Sequence, residues 1–121
     1  MWIFTQHGFI SAVRTSKDAQ TLKVRSRDRQ SLERLAALSE SEIIATPNAD
    51  YPYRVIVDEL TLGAFLMNEL ADADYTNFKS RVSITRGHDF AHACGQVWSV
   101  MHDVEDENAR KIRFGTQTLN D

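Results

Sequence analysis

Asn77, Lys79, Arg81, His88 and Asp89 crowd a short stretch of this chain with an amide, two cations, an imidazole and a carboxylate. Such groups can bind a polar ligand by charge and hydrogen bonding. With His88 and Asp89 as a proton-transfer pair and Asn77 beside them, they could also serve a small enzyme. His88 and His92 stand at i and i+4, the spacing at which one helix face presents two imidazoles to a metal. His102 is on the order of 15 Å further along a helix axis and cannot join them. No glutamate lies between the pair, as a zinc hydrolase requires. His7 could supply a third ligand only from a distant strand, so neither a metal nor a cofactor is expected. Cys94 is the single cysteine, set among apolar residues, whereas a nucleophilic thiol needs exposure and nearby positive charge. It is expected to be buried and inert, and no intramolecular disulfide can form.

A second set could do different chemistry. Lys23, Arg25, Arg27 and Arg29 alternate along the chain and could track a phosphate backbone, while Tyr51, Tyr53 and Arg54 could add stacking surface from a neighbouring strand. The competing interpretation is a solvated outer sheet face. Net charge favours the latter. The chain carries −3 overall, and eight acids between Glu40 and Asp74 face only Arg54 as a basic residue. Micromolar nucleic-acid binding at physiological salt is therefore not expected. Glycine-rich phosphate loops, paired-cysteine motifs and nucleophile elbows are absent in recognisable form.

The elements that must position these groups follow from periodicity. Residues 2–13 are aromatic and β-branched and predict one long strand, with Gly8 marking a bulge. Thr21 to Ser26 alternates as a second strand, after a turn over Thr15 to Gln20. Asp28 is placed to cap a helix through Leu38, with Leu32, Leu35 and Leu38 inward. Glu42 to Thr46 and Tyr51 to Val57 predict two further strands around Pro47, and Asp58 caps a helix to about Ala71 through Leu62, Phe65, Leu66 and Leu70. The order β-β-α-β-β-α predicts an α+β fold: a four-stranded antiparallel sheet, ordered 1-2-4-3 in a permuted ferredoxin-like arrangement, with one face under helices. An additional C-terminal helix follows, and residues 1–104 form one domain with a charged tail at 105–121. The open sheet face must be solvated, self-associated into a homo-oligomer, or bound to a partner.

Asp74-Tyr75-Thr76-Asn77-Phe78-Lys79 predicts a short helical turn, running through Val82, that Asp74 caps and that docks both rings in the core. Asn77 and Lys79 are then surface positions, each tolerating alanine within about 0.5 kcal/mol. In the final helix, from His88 to Val104, the residues Phe90, Cys94, Val97, Trp98, Met101 and Val104 share one sector and predict a core-facing stripe with the histidines opposite. Truncating Trp98 to alanine is expected to cost about 3–5 kcal/mol.

Trp2-Ile3-Phe4 with Gly8-Phe9, Tyr51-x-Tyr53-Arg54, Asp74-Tyr75-x-Asn77-Phe78-Lys79 and Val97-Trp98-Ser99-Val100-Met101 together resemble a family of small uncharacterised bacterial and phage proteins sharing a D-Y-x-N-F-K motif. The likeness runs to about Met101. It implies a compact accessory protein and brings no activity or cofactor with it.

The length of 121 residues suits one domain with a real core, and 42% apolar against 26% charged residues excludes a mainly disordered chain. No segment approaches the roughly 20 apolar residues of a membrane span, and the first residues lack the basic region of a secretory leader. The expectation is a cytoplasmic, non-enzymatic protein-binding accessory or inhibitor module. Nucleic-acid binding through the open sheet face is the alternative.

Overall fold

The apolar run at the start of the chain is two strands, β1 (Trp2–Thr5) and β2 (Gly8–Arg14), in the computed structural model, which describes residues 1–116 and the side chains of residues 1–112. The chain turns back at Gln6 and His7, and the register Thr5↔Gly8, Phe4↔Phe9, Ile3↔Ile10 follows. The two polar residues that spoil the alternation of a single strand are the hairpin loop. A Cβ on Gly8 would collide with the Ser31 side chain and lie 2.7 Å from Arg86 Nη1. Only glycine fits beneath those groups.

β3 (Thr21–Ser26) pairs with β2, and β5 (Tyr53–Asp58) pairs with β3. β4 has shrunk to Ile44–Ala45 at the outer edge. The result is a five-stranded antiparallel sheet in the order β1-β2-β3-β5-β4. The four-stranded, permuted ferredoxin-like arrangement is thus overturned. The hairpin at Gln6 splits the expected first strand in two and makes the sheet five-stranded, while β3, β5 and β4 follow one another as the order 1-2-4-3 implied.

The helices α1 (Gln30–Ser39) and α2 (Glu59–Ala71) cover one sheet face. Ile10, Ala12, Leu22, Val24, Val55 and Val57 meet Leu32, Leu35, Ala36, Leu62 and Phe65 in a single core. Two expected core leucines, Leu38 and Leu70, are exposed instead. In the turn before Leu70, Glu69 is the buried residue, for reasons given below. The Asp58 carboxylate caps α2 by accepting from Thr61 N at 2.7 Å, which holds its pKa below the ordinary aspartate value. Asp28 does not cap α1: its carboxylate accepts the Ser31 hydroxyl and pairs with Arg86.

Beyond α2 lie α3 (Phe78–Arg86) and α4 (His88–Val100), a 3-10 turn (Met101–Val104) and α5 (Glu107–Thr116). Gly87, at φ +92°, breaks the path between α3 and α4. The expected single terminal helix is therefore corrected to three helices among the described residues. α5 falls in the charged segment because Asp106 accepts from Ala109 N at 2.8 Å and Lys111 pairs with Glu107 one turn away. No helix of the described residues is long and apolar enough to cross a membrane.

Gly8→Ala is expected to lower stability by about 1–3 kcal/mol through overpacking against Ser31 and Arg86. A urea midpoint equal to the parent's would show that both side chains move aside freely.

Candidate functional site

The polar hairpin loop is the seat of α3. Gln6 Nε2 donates to the Asp72 carbonyl at 3.2 Å, and Arg81 Nη1 donates to Gln6 Oε1 at 3.3 Å. The Thr85 hydroxyl donates to the Gln6 carbonyl. Arg86 Nη1 donates to the His7 carbonyl at 2.8 Å and to Ser31 Oγ at 3.2 Å, while its Nη2 pairs with Asp28. His7 Nδ1 meets the buried Glu69 carboxylate at 2.8 Å, which also accepts from Arg34 Nε at 3.1 Å. Glu69 is therefore buried with two partners, as a buried carboxylate must be. His7 is committed there and does not approach His88 or His92 as a third ligand.

α4 packs against α3 through small residues. Ala91 is buried, and a Cβ on Gly95 would lie 3.4 Å from Lys79 Nζ, so the lysine side chain rests along the α4 backbone. His88, Ala91, His92 and Gly95 share this face by helical spacing. The expected core-facing stripe is not found, although His88 and His92 are exposed as expected. Trp98 is 67% exposed, Val97, Met101 and Val104 are also exposed, and Phe90 and Cys94 are half-buried. Phe90 instead lies under the Arg86 guanidinium at 4.1 Å.

Between α3 and α4 runs an open groove of about 980 Å³. The stretch Thr76 to Ser80 and Ser83 form one wall; His88, Ala91, His92, Gly95 and Trp98 line the other. Asn77, Lys79 and His88 all line the groove. Arg81 and Asp89 stay outside it. Arg81 turns to Asp74 at 2.7 Å and over the Tyr75 ring, and Asp89 is exposed. The cap of α3 is Asn77, which accepts from Ser80 N at 2.9 Å, rather than Asp74. Tyr75 precedes the helix and meets Phe78 at 6.1 Å between ring centroids. The His88 and His92 rings lie parallel, 6.4 Å apart. Cys94 lines the groove with its pKa pushed up by burial, opposed by the Arg86 charge. Among the described residues no group of three His, Cys, Asp or Glu could hold a metal.

The second set of residues lies on the sheet, away from this groove. Lys23 and Arg25 point to the open face with Arg54, whereas Tyr53 packs toward the core. Tyr51 is buried beneath Arg25 and Arg27, whose guanidinium carbons stand 4.5 and 5.0 Å from its ring centre. Arg27 also pairs with Asp50, and Arg29 is exposed where α1 begins. Trp2, Phe4 and Phe9 also lie on this face. A strand reading that missed the turn could not assign them to one side.

Asn77→Ala is expected to cost about 1 kcal/mol as a lost cap, more than a bland surface position. Trp98→Ala is expected to stay within about 1 kcal/mol, because the ring is largely solvated and leaves no core cavity. Paired denaturation curves check both, and the opposite ranking would restore Trp98 to the core. Cys94 should react with iodoacetamide at neutral pH more slowly in the folded than in the urea-unfolded protein, since its raised pKa leaves less thiolate. Equal rates would contradict the burial of the thiol.

No family model, curated protein or solved structure matches this chain, so its functional reading rests on the geometry above.

Proposed function

We propose that this chain is a non-enzymatic protein-binding module that engages its partner through the C-terminal end of α4 and the 3-10 turn after it. One observation carries the reading: Val97, Trp98, Val100, Met101 and Val104 are all exposed on consecutive turns. Scattered exposed apolar residues need no explanation, but a run of five on one helix end marks a contact surface. Tryptophan and methionine are the side chains that anchor such surfaces, being large and well suited to a partner's pocket. The neighbouring groove supplies a polar rim from Lys79, His88 and His92.

The same geometry supports binding over catalysis. Asn77 spends its side-chain oxygen on a helix cap, and Lys79 lies along Gly95. His88 and Asp89 stand 3.9 Å apart, longer than a proton-transfer hydrogen bond. The resemblance of the D-Y-x-N-F-K segment to small bacterial and phage proteins favours a cytoplasmic accessory or inhibitor role.

Affinity capture from the native host, with nuclease present, tests the reading. Trp98→Ala should weaken the captured complex by about 30-fold or more, as truncation of an anchoring tryptophan does, with the denaturation midpoint nearly unchanged. Retention of the partner by both Trp98→Ala and Met101→Ala would place the contact surface elsewhere.

A further inference from the structure

We propose that the open face of the sheet is a binding site for single-stranded nucleic acid, separate from the α4 surface. The face has two zones. On β1 and β2, Trp2 is 69% exposed and sits edge-on to Phe9, with ring centres 5.6 Å apart; Phe4, also exposed, stacks on Phe9 at 4.5 Å. This is a flat aromatic surface held in place by its own ring contacts. On β3 and β5, Lys23, Arg25 and Arg54 point the same way. Arg25 is oriented by its bond to Ser11 Oγ at 2.8 Å and by the Tyr51 ring beneath it. Neighbouring strands are about 4.8 Å apart, so β1 and β3 stand ~10 Å from each other. Bases stacked on Trp2 and Phe4 would thus carry their phosphates toward Lys23 and Arg25.

Charge complementarity selects the occupant. Among the described residues, Lys23, Arg25 and Arg54 have no ion pair. Many of the acids that make the chain negative are engaged elsewhere. Glu59 pairs with Arg14, Glu69 with His7 and Arg34, Asp72 with Arg34, and Asp74 with Arg81. Asp58, at the far end of β5, is occupied as the α2 cap. A net charge of −3 therefore coexists with a cationic face. A second copy docked face to face across a two-fold axis would set these cations against their own copies, which is unfavourable. Aromatic rings beside cations are the surface on which unpaired bases stack, and a duplex keeps its bases out of reach of such a platform.

The test uses the Trp98→Phe protein, in which Trp2 is the remaining tryptophan. An oligothymidylate of about 16 residues should quench Trp2 fluorescence saturably at about 50 mM salt. A duplex of equal length and polyglutamate should do so at least tenfold more weakly (~1.4 kcal/mol). Lys23→Gln should flatten the dependence of log affinity on log salt by about 0.7, the share of one phosphate on a single strand. Followed by anisotropy of a labelled oligonucleotide, Trp2→Ala should weaken binding by about tenfold with the salt slope unchanged. Lys23 and Trp2 lie outside the core, and circular dichroism of both variants confirms the fold. Absence of quenching at low salt, equal binding of the duplex, equal competition by polyglutamate, or an unchanged slope in Lys23→Gln would each overturn the proposal. Since none of these residues belongs to α4, the outcome is independent of partner capture through Trp98.

Discussion

Arg86 is the joint on which the placement of everything after α2 depends. Its side chain is only 7% exposed and reaches from the end of α3 into the space between the β1–β2 loop and the start of α1. Burying a guanidinium is costly unless its donors are taken. Here the His7 carbonyl and the Ser31 hydroxyl take Nη1 and the Asp28 carboxylate takes Nη2, while Nε is buried without an acceptor and the Phe90 ring covers the planar face. The absence of a side chain on Gly8 leaves room for this arrangement. Directional bonds of this kind fix an orientation that apolar contact alone would leave loose. Val82 is correspondingly the only buried residue of α3.

Once α3 is held by its polar end, α4 needs only to lie close against it. Ala91 and Gly95 permit that approach, and the Lys79 stem covers what they leave open. Small residues therefore make the contact, and Val97, Val100, Met101 and Val104 are left exposed. The two helices hang from the end of the sheet rather than across it, which is why the face opposite α1 and α2 remains uncovered. Both edges of the sheet are blunt, with four residues in β1 and two in β4. Short edges offer little backbone for unwanted strand pairing, so recognition on this sheet falls to side chains.

Much of this was legible in residue order. The span of β3 agrees with its alternation, and α1 and α2 fall where leucine spacing and Asp58 put them. In the N-terminal run, β-branched and aromatic residues on both sides conceal the turn at Gln6 and His7, although their polarity is what a hairpin loop at the end of a sheet requires. The terminal helix was misread for a different reason. A helical wheel identifies the apolar sector and assumes that it faces inward, but helices that approach closely do so through glycine and alanine. Gly95 and Ala91 were the available signal. Four residues of the polar hexapeptide, Thr76 to Lys79, line the groove. Its cap, however, is set by backbone geometry around Asn77, which composition does not reveal.

Total charge says little about any one surface, because it adds groups that never share one. Folding sends the acids of α2 and the loop after it toward Arg14, Arg34, Arg81 and His7, where they hold helices to strands. The cations of β3 and β5 find no such partners, since the opposite side of the sheet receives no helix. Screening at physiological salt acts over about 8 Å, so acids on the far side of the sheet contribute little to the field at Lys23. Local composition then decides what each surface can hold. A cationic and aromatic sheet suits an anion with flat rings, whereas an apolar helix end suits a protein. The polar joint at Arg86 lets one small chain offer both, because it fastens α3 and α4 without using either surface to do so.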